Sequence, residues 1–210
     1  MTHESPETET TFGYLTAVHS PEYGYFGGYL IVSAIGRPLE FHCTAPVLPS
    51  RAQQILYGPT LQPYLIGDQI GGTLLAAAKL VPRLILTNRA EMVGLRSGSR
   101  APLVLIITDD ARNHNSARSP ESARDSLDAS GTGASPASAR HTAWGVPFSM
   151  GDHRLQLPLG YEAEHQTVIA LLNVLSDRVE LAEPFGRIEE AIREAQRIGG
   201  RGPDTHATAA

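Results

Sequence analysis

Glu40 and His42 are the residues of this sequence best suited to chemistry. In an extended strand they share one face and lie about 7 Å apart by rise alone, close enough to hold one ion or ligand together with a third group. His19, on a neighbouring predicted strand, is the candidate for that group. Tyr29, with Tyr23 and Tyr25, offers a surface on which a base or a peptide could stack. The plainer alternatives are a solvated polar sheet face for the two ionisable groups and packing under helices for the tyrosines. Cys43 is the single cysteine and stands beside His42. It alternates to the opposite face with Leu39 and Phe41, which makes it a small core residue rather than a thiol nucleophile.

Other chemical patterns are missing. The run Tyr23-Gly24-Tyr25-Phe26-Gly27-Gly28 matches neither phosphate-loop spacing and leads into a strand rather than a helix N-terminus. No H-x-H, H-E-x-x-H or G-x-S-x-G pattern occurs, so these motifs assign no catalytic residue, and no resident metal or cofactor is expected. His3, His114, His141 and His206 fall in segments too polar to build a site.

The elements that must position the candidates follow from turn and cap signals. Short strands are predicted over 13–19, 26–34 and 39–44, the last two joined across Ile35-Gly36-Arg37-Pro38. Ser50 with Gln53 three residues on is a capping box that starts a helix over 51–57, and Gly58-Pro59 ends it. A second helix is predicted from Thr60 to about Lys79, with a kink or close packing at Gly67, Gly71 and Gly72. Apolar runs at 83–87 and 103–108 read as buried strands flanking a short helix or loop over 89–96. Residues 154–159 read as an edge strand, 161–175 as a helix, and 183–198 as the best amphipathic helix. The architecture expected is α/β (α+β): a mixed sheet with an antiparallel leading meander and helices packed on it. One domain is predicted over 12–108 and 142–199, with flexible tails at 1–11 and 200–210. The Ser-, Ala- and Arg-rich stretch 109–141 cannot bury enough surface to offset its ordering entropy, and is read as a disordered insertion.

The 210 residues carry a net charge of −5, with 41 % hydrophobic and 19 % charged residues, which suits a folded chain with a real core. Acidic balance and scattered arginines disfavour nucleic acid and anionic membrane as partners. No apolar run reaches the roughly 18 residues of a membrane span. The acidic start of the chain is the reverse of a signal peptide, so a cytoplasmic location is expected.

The order of elements, a meander followed by the helix opening at Ser50 and then a strand ending at Thr87-Asn88, is similar to that of ribonuclease H-like domains. Those nucleases hold two metal ions with carboxylates on the first strand, first helix and fourth strand. The matching places here hold His19 or Ser20, Gln53 or Gln54, and Asn88, which implies a degenerate site. Over 26–75, the segments Gly36-Arg37-Pro38-Leu39-Glu40-Phe41, Arg51-Ala52-Gln53 and Ile55-Leu56-Tyr57-Gly58 resemble an uncharacterised family of bacterial proteins, planctomycete types included. The Glu183-Pro184-Phe185 helix start resembles that family's C-terminal end. The resemblance implies a compact bacterial domain and no transferable activity. The function expected is a non-catalytic binding or regulatory module, acting on a protein partner or small ligand. The alternative is a metal-dependent hydrolase or degenerate ribonuclease H-like nuclease using Glu40, His42 and His19.

Overall fold

The computed structural model describes residues 10–107 and 144–199. The stretch read as a disordered insertion, 109–141, lies outside the described residues, as do 1–9 and 200–210 of the expected tails.

The described residues build one mixed sheet of seven strands in the order β3-β2-β1-β4-β5-β7-β6. Strands β1 (Thr11–Ser20), β2 (Gly24–Ser33) and β3 (Pro38–Cys43) form the antiparallel meander. Strands β4 (Leu84–Thr87) and β5 (Leu103–Ile107) run parallel to β1. Strands β6 (Phe148–Met150) and β7 (His153–Gln156) finish the sheet in antiparallel sense. The α+β architecture expected from the sequence is the one observed. One strand is placed differently: residues 153–156 pair with β5 on one side and β6 on the other, so the edge belongs to β6. With three residues, β6 is too short to show alternation.

Both faces of the sheet are covered, which explains the unbroken apolar runs of β4 and β5. On one face, Phe12, Tyr14, Leu30, Leu86 and Ile106 pack beneath helices α3 (His165–Ser176) and α4 (Glu183–Gly199). Helix α4 lies close over β2 because Gly28 carries no side chain: a Cβ there would stand 2.2 Å from Ile188 Cγ2. On the other face, Leu15, Tyr29, Ile31, Ile85 and Leu103 pack beneath Ile66, Ile70, Leu74 and Met92.

Helix α1 (Arg51–Tyr57) starts at the capping box as expected: Ser50 Oγ accepts from Gln53 N–H at 3.2 Å, and Gln53 Oε1 accepts from Ser50 N–H at 2.9 Å. The single helix expected over 60–79 is instead a 3-10 turn (Gly58–Thr60), a π-helical segment (Pro63–Gly71) and helix α2 (Gly72–Ala77). The wide turns bring Gly67 onto the 3-10 segment Ala90–Ser97, where a Cβ would meet Glu91 backbone O at 2.4 Å. Close packing at this glycine thus takes the form of a changed helical pitch.

Candidate functional site

Strand β1 is longer than its parallel neighbour, and this sets up the region where chemistry can happen. Pairing of β1 with β4 stops at Leu15 and Thr87, while β1 continues to Ser20. The chain leaves β1 toward β2 and leaves β4 toward β5, so their carboxyl ends flank a topological switch point, the usual place for a ligand crevice in such sheets. Buried Thr16 donates its hydroxyl to Asn88 Oδ1 at 2.6 Å, closing the gap beyond β4. The first-strand group facing Asn88 is therefore Thr16, not His19 or Ser20, because β1 runs on past the level of Asn88.

Beyond that closure the carboxyl end of β1 opens onto a cleft of about 480 Å³. His19 and Tyr25, paired across the β1–β2 ladder, form one wall with ring centroids 4.6 Å apart. Helix α1 brings Gln54 to the opposite wall, and the following turn brings Leu61, Gln62 and Leu65. Gln62 Nε2 donates to the Tyr25 hydroxyl at 3.2 Å, tying the walls together. Arg51 Nη1 donates to Gln54 Oε1 at 3.3 Å, which orients that amide. Among the described residues, no Asp, Glu, Lys or Arg lines the cleft. Its polar groups are two amides, a phenol and an imidazole, which together donate and accept hydrogen bonds without fixed charge.

The structure brings Glu40 and His42 together but keeps His19 apart from them. His42 Nε2 donates to Glu40 Oε1 at 2.5 Å. Lys79 N–H donates to the same oxygen and Leu80 N–H to Oε2, both at 2.8 Å. The His42 hydrogen bond and these backbone donors outweigh partial burial and hold the Glu40 carboxyl down at about 2. All these donors come from the chain itself, so the carboxylate fastens β3 to the segment that follows α2. His19 faces Tyr25 while His42 faces Tyr29, four residues further along β2 and about 13 Å away by strand rise. Tyr29 is a core residue: it is 1 % exposed, its hydroxyl lies over Gly13, and burial with the nearby Glu40 charge pushes its phenol up.

Cys43 shares a face with Leu39 and Phe41 as the alternation predicts, yet it is exposed. Helix α4 covers β1 and β2 and leaves the edge strand open, so that face of β3 never enters the core. Among the described residues, no three His, Cys, Asp or Glu side chains stand close enough to share a metal ion, and no helix is long and apolar enough to cross a membrane. The residues that sequence reasoning missed are Gln54 and Gln62 as cleft walls and Thr16 as the partner of Asn88. Neutral amides in turn-rich segments carry no motif, and only the prolines at 59 and 63 mark the bend that presents Gln62.

No protein-family model and no curated protein matches the sequence. Among solved structures, the chain is similar to endonuclease V from Ciona intestinalis. A substituted form in complex with a 23mer DNA containing an inosine followed by a ribo-adenosine gives 11 % identity, with 73 % of this chain and 72 % of that chain covered and a TM-score of 0.34. The same enzyme with a 24mer DNA gives 12 % identity, 73 % of each chain covered and a TM-score of 0.34. Both of those structures hold DNA, the partner class that the sequence reading disfavours for this chain. That expectation rested on a net charge summed over the whole chain, which does not describe any local surface.

Proposed function

We propose that this chain is a binding module whose ligand seat is the cleft at the carboxyl end of β1, and that its ligand is uncharged. One observation carries the reading: about 480 Å³ of concave space walled by His19, Tyr25, Gln54 and Gln62, with no Asp, Glu, Lys or Arg lining it among the described residues. That volume falls within the roughly 300–1,000 Å³ of small-molecule sites, and polar side chains converging between Leu48, Leu61 and Leu65 suit such a role. A charged ligand would lose water there without gaining a counter-ion. A flat polar ligand could lie against the Tyr25 and His19 rings and exchange hydrogen bonds with both amides.

The test is ligand-observed NMR with free nucleosides and N-acetylated sugars, using a nucleoside monophosphate as the charged counterpart. An uncharged probe should bind, and Gln54→Ala or Gln62→Ala should weaken it about tenfold, the loss of one hydrogen bond of about 1.4 kcal/mol. Binding that prefers the phosphate, or that ignores both substitutions, refutes the reading.

A second reading, a degenerate ribonuclease H-like nuclease, is favoured by the Thr16–Asn88 contact at adjacent parallel strand ends. It requires binding of DNA or RNA that weakens in Asn88→Ala, without cleavage when magnesium or manganese is present. Cleavage would refute the degeneracy, and binding unaffected by that change would assign the interface elsewhere.

A further inference from the structure

The geometry points to an interaction surface at the edge of β3, which no strand among the described residues pairs, and to a second copy of this chain as its occupant, joined by antiparallel β3–β3 pairing about a two-fold axis at Phe41. Thr44 N–H donates to Gly27 O at 3.0 Å, which fixes the phase of the β2–β3 ladder. Alternate residues of an antiparallel strand bond to opposite sides, so His42 and Glu40 bond to β2 while Phe41 and Cys43 aim their backbone N–H and C=O groups outward. Over Glu40–Cys43 the edge has no lysine and no proline, its one carboxylate, Glu40, is tied to His42 and to the Lys79 and Leu80 backbone, and the β3 bulge at Leu39–Glu40 stops short of Phe41. Apolar side chains flank it on both faces. Leu39 and Phe41 are 37 % and 40 % exposed on one side. Leu80 and Val81 are 42 % and 63 % exposed on the other, next to Glu40, whose Oε2 accepts from Leu80 N–H.

Self-pairing suits this edge in one register. With Phe41 opposite Phe41 of the second copy, the outward N–H and C=O groups of the two residues bond each other, and the rings meet across the axis. Each Glu40 then faces an imidazole, His42 of the other copy. Moving the strands by one pairing step toward the N-terminus would set Glu40 against Glu40, two carboxylates that repel, and would bring Pro38, which has no N–H, into the ladder. The register centred on Phe41 avoids both, which is why a second copy fits this edge better than an arbitrary extended peptide.

Sedimentation equilibrium of the full chain should show reversible association to twice the mass of one chain over micromolar concentrations. Phe41→Lys, which opposes two cations at the axis on an already exposed position, should weaken that association at least about tenfold. Cross-linking tests the register separately. In a Cys43→Ser background, Phe41→Cys should oxidise to a disulfide-linked dimer, because hydrogen-bonded partners stand about 5.5 Å apart at Cα, within disulfide reach. Ile35→Cys, at an exposed turn position, is the control. A chain that stays monomeric up to about 100 μM, a dimer that survives Phe41→Lys, or cross-linking of Phe41→Cys no faster than the control overturns the inference. So does capture of a different extended segment along β3 by a monomeric chain.

Discussion

Replacing Glu40 by glutamine tests whether this carboxylate is a fastening rather than a ligand. Its two oxygens take N–H groups from Lys79 and Leu80 and the His42 ring, so an amide leaves at least one donor facing an NH₂ group. The carboxyl is held at about 2 against an ordinary value of 4.5. Fully expressed, that difference amounts to about 3 kcal/mol at neutral pH. The side chain keeps 13 % of its surface in water at a sheet edge, and screening reduces the expected loss to about 1–2 kcal/mol. Because the folded-state value is depressed, the contribution is complete above the unfolded value near 4.5 and disappears as pH falls toward 2. Urea denaturation of wild type and Glu40→Gln at pH 7 should show that gap, and the same pair near pH 2.5 should nearly coincide. Equal stability at pH 7, or a gap that does not change with pH, would refute the assignment.

Three further outcomes follow from packing. Gly67→Ala should cost about 1–3 kcal/mol in chemical denaturation, because the new Cβ meets the Glu91 backbone oxygen at 2.4 Å and neither segment yields easily. Arg96→Ala should cost about 1–3 kcal/mol, since Arg96 bonds both oxygens of Glu164, donates to Ser99 O at 2.7 Å and covers the Tyr161 ring at 4.4 Å. Arg96→Lys should recover only part of that loss, as an ammonium cannot make the paired contact. Trp144→Phe should cost about 1 kcal/mol through loss of its hydrogen bond to Ala90 O at 2.9 Å, measured by urea denaturation followed by far-UV circular dichroism.

What could be read from the sequence, and what could not, divides by the range over which each feature is determined. Ser50 and Gln53 are three residues apart, and both bonds of their capping box are local, so the helix start is readable from the residues alone. The meander is equally local, since a glycine- and proline-marked turn joins strands whose alternation is visible. Cys43 shows where this stops. Its face follows from alternation, but its burial depends on β3 being at the edge, and strand order is fixed by pairings between distant segments. The π-helical segment is similar, because at Gly67 it packs on the backbone of Glu91, twenty-four positions further along the chain.

The same division explains why the candidate site moved. An acidic side chain beside a histidine looks like an open ligand set while its partners are hidden, and the backbone donors of Glu40 lie 39 and 40 positions away. Once those donors are in place, the carboxylate's oxygens are occupied and the fastening is complete. Gln54 and Gln62 show the reverse: alone they are ordinary polar residues, and they gain significance only because helix α1 and the turn after it carry them opposite His19 and Tyr25. A binding surface made of neutral groups therefore leaves almost no trace in a linear sequence, because each group is common and only their convergence is specific. Ionised residues attract notice in a sequence for the same reason that a fold must partner them, so the most conspicuous charges are often the ones already spent on holding the chain together.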